Sequence, residues 1–200
     1  MSNQHQKDQT QELIKETAKK LFFVQGKFDA TTQEIADEAG VNRTLINYYF
    51  RSRDNLIQII FEEAKLIEER KSALIRRTDL SFKEKIENFV DKTLKTSLEL
   101  PYLETYIVTR LNKKGNCGSI KNDLDREVMK EFYQSIEEEM QKGTIEKMEP
   151  VQFVLNLISL LIFPTAMRPL IRENINVSNE DFDRIISERK DIIMNILFKK

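Results

Sequence analysis

Apolar residues return at three- and four-residue spacing along almost the whole chain, and that period suits helices and little else. Leu13, Ile14, Thr17, Ala18, Leu21 and Phe22 form one face of a first helix near residues 9–25. The same spacing carries Leu56, Ile60, Ala64 and Ile67, then Ile86, Phe89, Val90 and Leu94, and later Ile120, Leu124, Val128, Phe132 and Ile136. An all-β chain would need a turn every ~8–12 residues. Five glycines and four prolines in 200 residues cannot supply them. The reading is an all-α fold.

Local signals divide this pattern. Gly26 ends the first helix. Thr31 and Glu34 have capping-box spacing, so a second helix starts there and lasts two turns before Gly40 interrupts. Asn42 caps a third helix reaching about Tyr49, and Ser52 caps a fourth reaching about Arg77. Ser81 with Glu84 opens a fifth, and Pro101 suits the first turn of a sixth, with Leu103, Ile107 and Leu111. The segment KKGNCGS (113–119) reads as a loop, and the long helix that follows it ends at Gly143. Pro150 opens an apolar helix over 150–172, and Ser178 with Asp181 starts a final one over 179–198.

Several function classes are excluded early. A net charge of −1 gives no global basic field, so any nucleic-acid contact must be local. Cys117 is the only cysteine and His5 the only histidine, which leaves no disulfide, no Cys–His pair and no metal-ligand cluster; His5 reads as part of a solvated tail. No glycine-rich phosphate loop is present. The expectation is a binding protein, not an enzyme, with no cofactor and no metal. The first dozen residues lack an apolar signal core, and the lone cysteine fits a reducing compartment, so a cytoplasmic protein is expected. A membrane span wants ~20 apolar residues. The uncharged run 151–167 is shorter and holds Gln152, Asn156, Ser159 and Pro164, so it reads as a helix buried in protein.

Residues 32–51 are the functional segment. Two short helices meet at a glycine, with small Ala36 in the first and Ile46 in the second, and Ile35 and Val41 complete a small core between them. That is the spacing of a helix-turn-helix. In such a unit the second helix enters the major groove of double-stranded DNA, and its N-terminal residues reach base edges. Here these are Asn42, Arg43, Thr44 and Asn47, with Thr31 and Thr32 at the start of the first helix. Arg51, Arg53, Tyr48 and Tyr49 are placed for phosphates, although Asp29, Glu34, Asp37 and Glu38 keep the first sixty residues from being basic. From spacing and polarity alone, two packed helices of a plain bundle are the alternative.

The run GKFDATTQEIADEAGVNRTLINYYFRSRDNL (26–56) closely resembles the DNA-binding domain of the TetR family of bacterial regulators. The matching features are Gly26 with Phe28, Thr31 with Thr32, Ile35 with Ala36, Ala39 to Val41, Tyr48 to Phe50, and Arg51 to Arg53. The resemblance implies that Thr32, Arg43, Tyr48, Tyr49 and Arg53 contact DNA. Where many members carry Gly-Thr in mid-helix and Tyr and His near its end, this chain has Thr44, Leu45, Asn47 and Tyr49, so no operator sequence carries over.

The resemblance also implies a division of labour, with residues 1–52 as the DNA-binding domain and 53–200 as a helical domain for effector binding and dimerisation. It implies a homodimer built on the last two long helices, for which Leu157, Leu161, Ile185, Ile193 and Ile196 are the candidates. A small, lipophilic effector would be lined by Phe89, Tyr102, Tyr106, Met129, Phe132, Tyr133, Phe163 and Met167. The function so implied is a transcriptional repressor. A DNA-binding protein of chromosome organisation and a helical protein-interaction module are the rival readings.

Overall fold

Eleven helices, and no strand, make up the described residues, 2–114 and 123–199 of the computed structural model. The expected loop from residue 115 onward, with Cys117, and the expected helix start at Ile120 lie outside them. Helix α1 (Ser2–Lys19) begins earlier than the apolar period predicts and runs on into a π-helical turn, Lys20–Val24. That wider turn explains how Leu21, Phe22 and Phe23, three consecutive residues, are all buried, which one face of an α-helix does not allow.

α2 (Thr32–Ala39) and α3 (Arg43–Phe50) follow, each with the N-cap the sequence predicts. α4 (Arg53–Ser72) stops five residues short of the expected end, because the chain tightens into i→i+3 bonds from Leu74 to Lys71, Ile75 to Ser72 and Arg76 to Ala73. α5 (Phe82–Glu99) has the Ser81–Glu84 capping box, whereas Pro101 sits in the turn before α6 (Leu103–Lys114) and not within its first turn.

α7 (Asp123–Lys142) leads to α8 (Pro150–Ala166), and here the single expected helix of 150–172 is two. Pro164 has no N–H, so the Leu160 carbonyl one turn back loses its helical donor. The Arg189 guanidinium takes that carbonyl at 3.0 Å. The helix ends two residues later, and α9 (Arg168–Ile175) leaves at 74° to α8. The expected last helix is also two, α10 (Asn179–Ser187) and α11 (Arg189–Leu197), parted at Glu188. Among the described residues no single helix is long and apolar enough to cross a membrane; α8 and α9 would do so only as a pair, across that bend.

Two apolar cores result. The first joins α1 to α4 as far as Ala64 and recruits Leu103 and Tyr106 from α6. The second collects Phe82, Ile86, Val90 and Leu94 of α5 with α7, α8, α10 and α11. α6 belongs to both sides, because its Thr105 hydroxyl also donates to the Ala166 carbonyl at the end of α8, 2.8 Å away.

Candidate nucleic-acid interface

The helix-turn-helix is fixed from both ends by local chemistry. The Thr31 hydroxyl accepts from the Glu34 amide at 3.2 Å while the Glu34 carboxylate accepts from the Thr31 amide at 2.7 Å, a full capping box. The Thr31 amide and hydroxyl, both donating to the Glu34 carboxylate, hold its carboxyl below the usual carboxylate range. Gly40 closes α2 in the left-handed region at φ 66°, where a Cβ costs ~1–2 kcal/mol. Ile35, Ala36 and Ile46 are fully buried between the two helices. The turn after α3 is tighter still: the Ser52 amide reaches back to the Phe50 carbonyl at 2.7 Å, which places Arg51 at φ 63° in a strained γ-turn. The Asn55 side chain donates to the same carbonyl at 2.9 Å, and so α3 and α4 are locked in their mutual angle.

The structure assigns different work to the side chains that the sequence grouped together. Asn42 accepts from the Thr44 amide at 2.9 Å and from the Thr44 hydroxyl at 2.7 Å, so both side chains build the N-cap of α3. The Arg43 Nε donates to the Thr32 hydroxyl at 3.0 Å, which ties α3 to α2 and leaves the two terminal nitrogens of this exposed side chain uncommitted. Asn47 and Tyr48 are exposed, and the Tyr48 ring stands edge-on to half-buried Tyr49 at 5.0 Å. Arg53, expected as a backbone anchor for DNA, also has work inside the chain. Its Nε donates to the Ala30 carbonyl at 2.8 Å and its Nη2 to the Phe28 carbonyl at 3.3 Å, so it clamps the loop that enters α2.

The body candidates separate. Tyr102 and Tyr106 do not line a middle pocket. Tyr106 lies in the first core, stacked on Phe22 at 5.6 Å and edge-on to Phe23 at 5.2 Å, and burial pushes its phenol up to about 12. The Tyr102 amide donates to the Phe23 carbonyl at 2.8 Å, and its ring lies against Gly26. Phe132 stacks on Phe82 at 5.8 Å inside the second core, Phe89 and Tyr133 pack half-buried beside it, Met129 is exposed, and Met167 occupies the break after α8. Phe163 alone of this set reaches an open groove, of about 670 Å³, with Leu160, Ile171, Phe182, Ile185 and Ile196 among its walls.

The seam candidates also divide. Leu157, Leu161 and Ile193 are 0–1% exposed and fill the chain's own second core, because they share a helix face with Phe153 and Leu197. The apolar surface left outside includes Leu155, Ile158, Phe163, Ile192 and Ile196, each 45–60% exposed, with half-buried Ile185 in the groove. One group escaped the sequence reading. Lys71, on the apolar face of α4 four residues after Ile67, is buried with its ammonium 2.7 Å from Glu104 of α6 and 2.6 Å from Glu68. Its place on that face was the available signal.

A capped helix-turn-helix with an outward polar edge, backed by a larger helical body, defines the class of helix-turn-helix DNA-binding transcription regulators. Residues 14–60 match the sequence model of the family described as bacterial regulatory proteins, tetR family. The N-terminal domain thus matches that family's model, and the overall fold is similar to those of solved TetR-family regulators. A bacterial regulatory protein of the tetR family from Rhodococcus RHA1 aligns with 94% of this chain and 96% of its own at 16% identity, TM-score 0.64. AibR, solved in complex with isovaleryl coenzyme A and operator DNA, aligns over 94% and 98% at 15% identity, TM-score 0.63. A mutant of HlyIIR aligns over 97% and 98% at 20% identity, TM-score 0.63. No curated protein sequence matches the chain.

Proposed function

We propose that the protein is a homodimeric, cytoplasmic transcriptional repressor that reads a pseudo-palindromic operator in double-stranded DNA and releases it on binding a small lipophilic effector. The observation that carries this is the exposed edge of α3, where Arg43, Asn47 and Tyr48 face outward from a helix whose every other side is held by caps or core. Such an edge fits the major groove, and the amides that the caps leave over at the N-termini of α2 and α4 suit flanking phosphates. The apolar groove along α8 to α11 fits a second copy of the chain. A soluble protein rarely leaves such a surface open, and two last helices from each copy make a four-helix bundle. Residues 1–52 are then the reader and 53–200 the sensing and dimerising body, with contacts at Tyr102 and Tyr106 as well as α4 connecting them. That AibR was solved with both a small ligand and operator DNA favours an effector-linked regulator over an architectural protein.

Binding to a pool of genomic DNA fragments, measured as salt is raised, tests the reading. We expect retention of discrete fragments with an affinity that falls steeply between about 50 and 200 mM salt. A chain that retains no fragment at low salt is not a regulator of this kind. An effector is identified by thermal shift with lipophilic compounds, and bound operator must then weaken its binding by the same factor that it weakens operator binding.

A further inference from the structure

The N-cap and the first turn and a half of α3 hold four polar side chains, and the structure separates those that build the helix from those that can leave it. Asn42 and Thr44 satisfy each other at the N-cap, with the Asn42 oxygen accepting two bonds. Arg43 and Asn47 remain. The Thr32 hydroxyl accepts from the Arg43 Nε at 3.0 Å, which steadies the side chain while its two terminal NH2 groups stay available as a planar pair. Asn47, exposed and one helical turn further on, has no side-chain partner among the described residues and offers one amide acceptor and one amide donor side by side.

Those two functional groups have different complements in the major groove. A planar pair of N–H donors matches the two acceptors of guanine, O6 and N7. An amide matches the donor and acceptor of adenine, N6–H and N7. Four residues of helix advance about 6 Å, and base pairs follow each other at about 3.4 Å, so the two readers span one or two base-pair steps. Leu45 and Tyr49, half-buried in the first core, and Ile46, fully buried, are turned away from this edge, so the only other polar side chain between the two readers is Thr44, whose hydroxyl donates to Asn42.

Resting on the DNA-binding reading above, we infer that each operator half-site presents a guanine to Arg43 and an adenine to Asn47, separated by one or two base-pair steps. The operator of this chain therefore carries a G and an A in close register in each arm. Their identity follows from side chains that the capping network leaves free.

Repeated selection from randomised double-stranded DNA with the full chain, followed by titration of the selected duplex, tests the assignment. The wild type is expected to enrich arms with G and A at that spacing. Arg43→Ala is expected to lose the G preference alone and Asn47→Ala the A preference alone, each with a loss of about ten- to hundred-fold in affinity. Replacing the guanine by 7-deazaguanine removes one acceptor and should weaken wild-type binding but leave Arg43→Ala unaffected, and 7-deazaadenine should do the same for Asn47→Ala. Circular dichroism confirms that both exposed substitutions leave the fold intact. Enrichment of a motif without this pair, or an Asn47→Ala chain that still selects the same adenine, overturns the assignment while DNA binding stands. Failure to enrich any sequence overturns the DNA-binding reading beneath it.

Discussion

Gly26 and Gly40 both hold left-handed backbone, at φ 70° and 66°, yet substitution at each tests something different. A Cβ at Gly40 meets nothing within 4 Å, so Gly40→Ala is expected to lose only the conformational cost, ~1–2 kcal/mol. A Cβ at Gly26 meets the Tyr102 ring at 3.0–3.1 Å, so Gly26→Ala adds a steric cost and should push α6 off the reader. Urea unfolding should show Gly26→Ala as the more damaging of the two, and equal losses would mean that the Tyr102 contact does not hold reader to body. The sequence displayed the caps at this scale because a capping box is local, three residues from end to end. It could not display the work of Arg53, whose acceptor carbonyls at Phe28 and Ala30 lie more than twenty residues back and are brought near only by the fold. Gly26 was legible as a helix stop, but its need to be small depends on Tyr102, far along the chain.

At the scale of helices, the contact between α4 and α6 has an unusual composition, two carboxylates on one buried ammonium. Breaking a buried pair from one side is costly, because the remaining charge is left without a partner. Lys71→Met strands Glu104, which is 6% exposed, and is expected to cost ~3–5 kcal/mol in urea unfolding; Lys71→Met with Glu104→Leu should recover most of it. A double variant as unstable as the single one would show that packing, and not the stranded charge, sets the loss. Glu68 carries the surplus charge. Burial, with the nearby Glu104 carboxylate, pushes its carboxyl above the usual range. A carboxyl raised in the folded state favours folding below its unfolded pKa and loses that contribution as pH rises through the raised value. Glu68→Gln should therefore raise the melting temperature at neutral pH, with the gain shrinking toward pH 4 or so. A gain that grew on acidification would contradict this sign. The apolar period identified these helices but not their breaks at Met167 and Glu188. An apolar run looks the same whether or not a distant arginine captures the carbonyl that Pro164 releases. Arg189→Leu leaves that carbonyl bare, and the break with it.

At the scale of the molecule, the sequence marked α8 and the last helices as apolar, but not which of their residues face out. Periodicity gives relative angles around a helix, and the inward direction is set only when the neighbouring helices are placed. Hence Leu161 and Ile193, which look like seam residues in sequence, lie in the core, while Phe163 and Ile196 stand 59% and 60% exposed beside the groove. This separation makes dimerisation testable without confusing it with folding. Phe163→Asp and Ile196→Asp place a charge where a monomer meets water, so each isolated subunit should keep its helical content and its unfolding midpoint. If the groove is closed by a second copy, the same charges are buried without a partner in the dimer, and association should fail. Leu161→Asp puts its charge into the core and should unfold the chain instead. Sedimentation at micromolar concentration is expected to give a wild-type dimer and folded monomers for Phe163→Asp and Ile196→Asp. Those monomers should also lose tight operator binding, because one short recognition helix reaches a single half-site and two must act together about 34–36 Å apart. A wild-type monomer under these conditions, or a Phe163→Asp chain that still dimerises and binds the operator as the wild type does, would move the interface away from this groove.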